Sequence, residues 1–211
     1  EIYQCDWSSD VCSSDLFVVH STTKYLNGHS DIVGGAVIAK HAADCQQLAW
    51  WANCLGITGS PFDSFMTLRG IRTLHARMAI HERNANELAK WLVGQKGVRK
   101  VFYPGLAQHP GHALAARQQR GYGAIVSLEL EGGSPAVERF AANLQLFSLA
   151  ESLGGVESLI AHPATMTHAA MAPEARAKAG LTDGLVRLSI GIEAVEDLRA
   201  DLAVGVAALA R

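Results

Sequence analysis

A lysine in a short loop between two apolar runs limits how this chain can fold. The loop reads His20-Ser-Thr-Thr-Lys-Tyr-Leu-Asn-Gly-His29, with Lys24 at its centre. A β-branched run over residues 17–19 precedes it and an apolar run over residues 32–38 follows it, so a buried strand is predicted on each side. A lysine on such a loop can be partly desolvated, which lowers the pKa of its amine and lets it act as nucleophile and base.

Two hydroxyl side chains flank this lysine. Ser21 and Thr23 could hold a phosphate group, and with Lys24 they indicate a pyridoxal 5'-phosphate (PLP) site in which the lysine carries the cofactor as a Schiff base. The alternative is a surface lysine among turn-forming neighbours. The loop alone does not separate these two interpretations.

The composition narrows the class of partner. The chain has 211 residues, 49% hydrophobic and 18% charged, which predicts one large globular domain or parts of two. A net charge of −2 and a pI of about 6.5 give no reason to expect nucleic acid or an anionic membrane as partner, so a small-molecule substrate is expected. No apolar run approaches the roughly 20 residues that span a bilayer. The four cysteines lack metal-ligand spacing, which favours a reduced, cytoplasmic setting.

The first sixteen residues differ from the rest of the chain. Residues 6–16 lack strand or helix periodicity and resemble the translation of a sequencing adaptor. We therefore expect residues 1–16 to be an artefactual or disordered segment without function. Because the informative sequence begins at Phe17, inside a predicted strand, we also expect a large N-terminal part of the protein to be missing.

Downstream of the lysine loop, helix and strand patterns alternate. A helix over residues 40–54 ends before Gly56, and Asp63 is predicted to cap a long helix that breaks near Gly70 and runs to about Val93. The later elements are strands over 98–103, 124–131, 146–150 and 186–190, and helices over 112–120, from Ser134 and from about Val195. The pattern predicts an α/β fold with a mixed or antiparallel sheet covered by helices on one side.

Two later segments could carry chemistry. Glu151 and Ser152 follow a strand directly and precede a Gly-Gly turn, although an ordinary corner capped by Ser152 has the same pattern. Arg187 lies in an otherwise apolar strand. A buried guanidinium needs a partner, either a substrate carboxylate bound through two hydrogen bonds or a structural ion pair. The histidine pairs His109/His112 and His162/His168 match no standard zinc spacing, so no metal site is predicted.

Four motifs occur together in this sequence. They are His20-Ser-x-Thr-Lys-Tyr-x-x-Gly-His-Ser-Asp31, Gly59-Ser-Pro-Phe-Asp-Ser-Phe-x-x-Leu-Arg-Gly-x-Arg-Thr-Leu74, Ala150-Glu-Ser-Leu-Gly-Gly-Val-Glu-Ser-Leu159 and Arg187-Leu-Ser-x-Gly-Ile-Glu193. In this order they resemble the Cys/Met-metabolism PLP enzymes, most closely the bacterial γ-synthase members, over essentially residues 17–211.

The resemblance implies the fold and the domains. It implies an α/β PLP-dependent transferase of fold type I. Residues 17–90 would be the C-terminal part of the large PLP-binding domain with its long connecting helix. Residues 91–211 would be the smaller C-terminal α/β domain on the substrate side. The aromatic residue that stacks on PLP and the aspartate that pairs with its ring nitrogen would lie upstream of this chain.

The resemblance also implies the site residues. Lys24 matches the Schiff-base lysine, which serves as anchor, acid and base, and Ser21 and Thr23 match the phosphate-binding hydroxyls. On the substrate side, Arg187 matches the arginine that binds the α-carboxylate, and Ser152 matches the residue beside it. Glu151 matches a position where γ-synthases and γ-lyases often carry Glu, which favours chemistry at Cγ.

The implied reaction is a γ-replacement in methionine biosynthesis. It would join an O-acylhomoserine, O-succinylhomoserine being expected, to cysteine and give cystathionine, in a cytoplasmic homo-oligomer that is a dimer of dimers at full length. A cystathionine γ-lyase and an O-acylhomoserine sulfhydrylase are the alternatives within the family. A non-catalytic α/β interaction module and, last, a histidine-based metal hydrolase are the alternatives outside it. The acyl group is left open by the sequence.

Overall fold

A computed structural model describes residues 16–210 of the chain. The predicted artefactual segment 1–16 lies outside the described residues except for Leu16. In chain order the elements are β1 (Phe17–Ser21), β2 (Gly35–Ala39), α1 (Ala42–Leu55), α2 (Pro61–Leu92), β3 (Val98–Phe102), α3 (His112–Gln118), β4 (Ile125–Leu130), α4 (Gly133–Ala141), β5 (Ser148–Leu149), β6 (Leu159–Ala161), α5 (Pro173–Lys178), β7 (Leu185–Ser189) and α6 (Val195–Leu209).

The lysine loop connects the two strands of a hairpin. β1 and β2 pair antiparallel, with Val19 opposite Val37. The expectation that both strands are buried is wrong, since Val19 is 74% exposed and Val37 51% exposed. Within residues 16–210 the two strands pair only with each other, so one hairpin cannot enclose its own apolar side chains. The second strand also begins at Gly35 rather than Ile32.

Helix α2 is long and continuous. Its cap is Ser60 rather than the predicted Asp63, because the Ser60 hydroxyl accepts a hydrogen bond from the Asp63 backbone N–H at 3.3 Å. The predicted break at Gly70 does not occur. A Cβ at Gly70 would overlap the backbone of Asn27 in the lysine loop, so the glycine permits close approach of the loop to the helix.

Within residues 16–210 the second sheet has five strands in the order β3-β4-β7-β6-β5. Only β5 and β6 are parallel, and the other neighbours are antiparallel. The predicted mixed sheet is therefore confirmed. The sequence pattern missed β6 and α5, since elements of three and six residues are too short to show a clear periodicity.

Helices cover one face of this sheet, as predicted. Val186 and Leu188 of β7 lie opposite Leu128 and Val126 of β4, and all four are buried. Their side chains join a core with residues of α2, α4 and α6, including Leu88, Phe140, Leu198 and Leu202. Because side chains alternate along a strand, Arg187 projects from the opposite face. That face meets the lysine loop.

Two further observations concern the chain as a whole. Among the helices of residues 16–210, none combines the length and apolar character that crossing a bilayer requires. Helix α2 runs without interruption to Leu92, and the predicted division between residues 90 and 91 stays a prediction.

Candidate active site

The lysine loop is a series of tight turns. The Asn27 N–H donates to the Thr22 carbonyl at 3.1 Å, and the Gly28 N–H donates to the Lys24 carbonyl at 2.8 Å. Gly28 has a φ of 76°, a left-handed conformation that glycine adopts without strain. The turns leave Lys24 half-buried on the side of the loop that faces the five-stranded sheet, where its Nζ donates to the Ser152 hydroxyl at 3.5 Å.

Ser152 connects the lysine to the arginine of β7. Its carbonyl accepts a hydrogen bond from Arg187 Nη2 at 2.9 Å, and the Glu151 carbonyl accepts a weaker one at 3.4 Å. The same residue therefore contacts the amine through its side chain and the guanidinium through its backbone. The arrangement brings together three residues that the sequence places up to 163 positions apart, Lys24 and Arg187 being the outermost.

Arg187 has unused capacity for binding an anion. Its Nε is buried and has no hydrogen-bond partner within residues 16–210. Burial lowers the pKa of Arg187, while the Tyr25 hydroxyl and the Glu151 carboxylate act in the opposite direction. In the described part of the chain no carboxylate lies within 4.0 Å of the guanidinium, so the structural ion pair considered for this arginine is not found there. A half-buried guanidinium whose buried Nε has no partner within the described residues suits a bound carboxylate.

The two predicted phosphate ligands differ in their surroundings. Ser21 is exposed at the end of β1, opposite Gly35. Thr23 is half-buried, and its hydroxyl oxygen accepts a hydrogen bond from the Gly34 N–H at 3.1 Å. The Thr23 hydroxyl is 3.4 Å from the Gly34 carbonyl, which is a weak acceptor distance. Its proton can therefore be redirected to a bound anion.

The loop that carries Ser152 is fixed on both sides. The Gly154 N–H donates to the Ser189 hydroxyl at 2.9 Å, and the Val156 N–H donates to the Gly28 carbonyl at 2.9 Å. The Glu151 side chain is exposed in this arrangement. The structure therefore joins the lysine loop, the residue 150–158 loop and β7 into one site.

Tyr25 is a site residue that sequence reasoning missed. Its phenol lies beside Ser189 and Arg187, and burial raises its pKa to about 12, with the Ser189 hydrogen bond and the Arg187 charge opposing that rise. The phenol is therefore neutral near pH 7. Its ring meets the buried His81 edge-on, with 5.4 Å between ring centroids. The sequence feature that could have identified Tyr25 is its position directly after Lys24 in the first motif.

The histidines do not gather around a metal position. Residues 16–210 contain no group of three or more His, Cys, Asp or Glu side chains arranged to hold a metal ion. Both ring nitrogens of His162 contact protein atoms instead, the Thr165 hydroxyl at 2.9 Å and the Asp183 carbonyl at 3.0 Å.

The lysine amine, the serine that contacts it and the half-buried arginine therefore lie together on one face of the sheet. The family model of the Cys/Met metabolism PLP-dependent enzymes matches residues 13–207. The chain therefore belongs to this family, and the predicted fold class and cofactor, fold type I and PLP, are confirmed.

Individual relatives carry several activities. Cystathionine γ-synthase of Escherichia coli (strain K12) is 58% identical over 88% of this chain and 48% of its own length. Cystathionine β-lyase of Coxiella burnetii is 52% identical over 88% of this chain and 48% of its own length. The crystal structure of cystathionine γ-synthase from Xanthomonas oryzae pv. oryzae, in complex with aminoacrylate and cysteine, has a TM-score of 0.92 and 62% identity, covering 96% of this chain and 52% of that one. The chain spans about half the length of the curated relatives it matches.

The described residues fit PLP and an amino-acid substrate. Lys24 offers an amine at the sheet face, Thr23 offers a redirectable hydroxyl proton, and the unpartnered Arg187 Nε offers a donor for a carboxylate. The Lys24 amine and the Thr23 hydroxyl reach the site from the loop of the hairpin, and the Arg187 guanidinium reaches it from β7.

Proposed function

We propose that this chain supplies the lysine-bearing and carboxylate-binding part of a PLP-dependent γ-replacement enzyme. The reaction joins an O-acylhomoserine, O-succinylhomoserine by preference, to cysteine and forms cystathionine in methionine biosynthesis. The observation that carries this proposal is the connection Lys24–Ser152–Arg187, in which one residue contacts both the amine and the guanidinium. The choice of reaction rests on the γ-synthase relatives.

Each site residue has a distinct task in this proposal. Arg187 binds the α-carboxylate of the acylhomoserine through donors that the backbone carbonyls leave free. That contact fixes the substrate so that its Cα–H points toward the Lys24 amine. Lys24 anchors the cofactor and then moves protons at Cα and Cβ of the substrate, and the Ser152 hydroxyl orients the amine.

The remaining residues bind the cofactor and shape the specificity. Ser21 and Thr23 donate hydroxyl protons to the phosphate. When bound, PLP supplies an electron sink for negative charge at the substrate carbon. The Glu151 carboxylate, exposed beside the arginine, lies on the substrate side and favours Cγ chemistry.

Activity assays with different pairs of substrates test the proposed reaction. With O-succinylhomoserine and cysteine, we expect the PLP-loaded enzyme to form cystathionine, and faster than it forms homocysteine from O-succinylhomoserine and sulfide. Chromatography of the products measures both rates. Cystathionine given alone is the control that separates the lyases. Rapid release of cysteine and 2-oxobutanoate would assign a γ-lyase, and rapid release of homocysteine and pyruvate would assign a β-lyase like the Coxiella burnetii relative.

We also propose that the working enzyme is a cytoplasmic homo-oligomer. Large apolar side chains on α1 and the start of α2 support this, since Trp50, Trp51, Leu55, Phe62 and Phe65 are each between 48% and 66% exposed within residues 16–210. Light scattering of the PLP-loaded enzyme is expected to give at least a dimer mass. A monomer mass at micromolar concentration would contradict the proposal.

A further inference from the structure

One face of helix α2 carries three buried polar residues. Arg77, His81 and Asn84 follow one another at spacings of four and three, so they lie on the same side of the helix. They are 5%, 0% and 0% exposed. We propose that these three residues, the α2 polar stripe, hold the cofactor-anchoring lysine at a fixed position relative to the carboxylate-binding arginine. This inference rests on the proposed function and adds positioning residues to it.

Arg77 holds the backbone of the lysine loop. Its Nη1 donates to the Tyr25 carbonyl at 2.9 Å, and its Nη2 is 3.5 Å from the Leu26 carbonyl. These carbonyls belong to the two residues that follow the lysine directly. The guanidinium is anchored to its own helix as well, since Nη2 donates to the Gly70 carbonyl at 2.7 Å and Nε to the Thr73 hydroxyl at 3.1 Å.

The packing around this guanidinium depends on two glycines. A Cβ at Gly28 would overlap the Arg77 side chain, and a Cβ at Gly70 would overlap the Asn27 backbone. Both positions therefore allow the loop to lie directly on α2. A side chain at either one would push the lysine loop away from the helix.

The other two residues of the stripe hold the segment that directly follows β7. His81 Nδ1 donates to the Ile190 carbonyl at 2.6 Å, and Asn84 Nδ2 donates to the carbonyls of Gly191 at 3.2 Å and Glu193 at 2.9 Å. These acceptors follow Arg187 by three to six positions. Four to seven residues of α-helix, about 6–10 Å, thus separate the contact to the lysine loop from the contacts to the segment that follows the arginine strand.

The chemistry of Arg77 favours a positioning role over simple packing. Burial lowers its pKa, and in the described part of the chain no carboxylate lies within 4.0 Å of the guanidinium. A buried charge met only by carbonyls and one hydroxyl is costly, and an apolar side chain would fill the same space at lower cost. What an apolar side chain cannot supply is a rigid fork of donors directed at the peptides after Lys24.

Two substitutions of Arg77 test the inference in the PLP-loaded enzyme. Arg77→Met removes the donors, and Arg77→Lys keeps the charge without the planar fork. We expect Arg77→Met to lower kcat about 100-fold, the scale expected for a displacement of about 1 Å, with KM changed less than about threefold because Arg187 is untouched. Amide hydrogen exchange over residues 25–28 should accelerate about tenfold or more, while exchange in β4 and β7 stays as in the parent. For Arg77→Lys, both kcat and the exchange rate over residues 25–28 should lie between those of the parent and those of Arg77→Met.

The matched control is Lys90→Met, which removes an exposed cation from the same helix and should leave both measurements at the parental level. Parental kcat per folded molecule together with parental exchange over residues 25–28 in Arg77→Met would overturn the inference. If Arg77→Met does not fold, the same two measurements on Arg77→Lys decide. Hydrogen exchange requires no substrate. If the parent enzyme lacks γ-replacement and Arg77→Met still accelerates exchange over residues 25–28, the proposed function is rejected while the contact between α2 and the lysine loop is supported.

Discussion

Lys24→Ala is expected to lower the rate of cystathionine formation by about 10⁴-fold or more, the upper range for loss of a general acid–base group. The same amine is proposed to anchor PLP, so the variant loses covalent attachment as well as proton transfer. Borohydride reduction followed by peptide mass spectrometry measures the attachment directly. In the parent the added mass should fall on the peptide that contains Lys24, and in the variant that labelled peptide should be absent.

Two controls distinguish the lysine's chemistry from its charge. Lys24→Arg keeps a cation near the Ser152 hydroxyl, but its guanidinium does not lose a proton at neutral pH and so cannot act as an amine nucleophile or base. It should therefore be as inactive as Lys24→Ala. Lys90→Ala removes an exposed lysine of α2 and should be labelled and active like the parent. Retention of more than about a hundredth of the rate by Lys24→Ala would contradict the assignment, because acid–base loss alone costs at least about 100-fold.

Local sequence was sufficient for the elements that carry the site. The two apolar runs predicted a strand on each side of the Lys24 loop, and the apolar run around Arg187 predicted the strand observed as β7, whereas the pairing of β1 with β2 and the face on which Arg187 lies came from the structure. Both follow from residue periodicity, which requires only neighbouring residues. The residues themselves suggested the phosphate-binding hydroxyls Ser21 and Thr23, and the resemblance added the roles of Glu151 and Ser152. All of the site-residue roles, including those of Lys24 and Arg187, stay predictions.

Contacts over long sequence separations were not available from such patterns. The Arg77 side chain reaches the Tyr25 carbonyl across 52 positions, and His81 reaches the Ile190 carbonyl across 109. In the sequence these residues look like ordinary polar positions of a helix. Periodicity predicted the helix, with a wrong break at Gly70, and missed its polar stripe, because the buried acceptors come only from packing against the lysine loop and the segment after β7.

The wrong predictions have local physical causes. An apolar β-branched run predicts burial only if another layer covers it, and within residues 16–210 nothing encloses Val19 or Val37. Asp63 and Ser60 both suit a helix start, and Pro61 decides between them because proline fits the first turn and so moves the cap to Ser60. Gly70 predicts a helix break by its low helix propensity, whereas in the structure its missing side chain allows the contact with Asn27.

Arg187→Leu is expected to raise KM for O-succinylhomoserine about 100-fold. The proposed contact is a charge-assisted hydrogen-bond pair to the α-carboxylate, and losing such bonds costs about 1.5–3 kcal/mol, roughly 10- to 150-fold. Because Ser152 loses its Arg187 partner, its contact with Lys24 should also loosen, so kcat should fall as well, by a smaller factor. Initial rates at varied acylhomoserine concentration measure both constants.

A substrate whose α-carboxylate is replaced by a carboxamide isolates the contact. In the parent, replacing the carboxylate by the carboxamide should raise KM about as much as Arg187→Leu raises KM for the normal substrate. In Arg187→Leu the two substrates should have similar KM values, because the cation that distinguishes carboxylate from amide has been removed. Arg199→Leu removes an exposed arginine of α6 and should keep the full preference. Undiminished preference for the carboxylate in Arg187→Leu would mean that another cation binds it. The unpartnered Nε of Arg187 would then require a different ligand, because a buried guanidinium donor left without an acceptor destabilises the folded site.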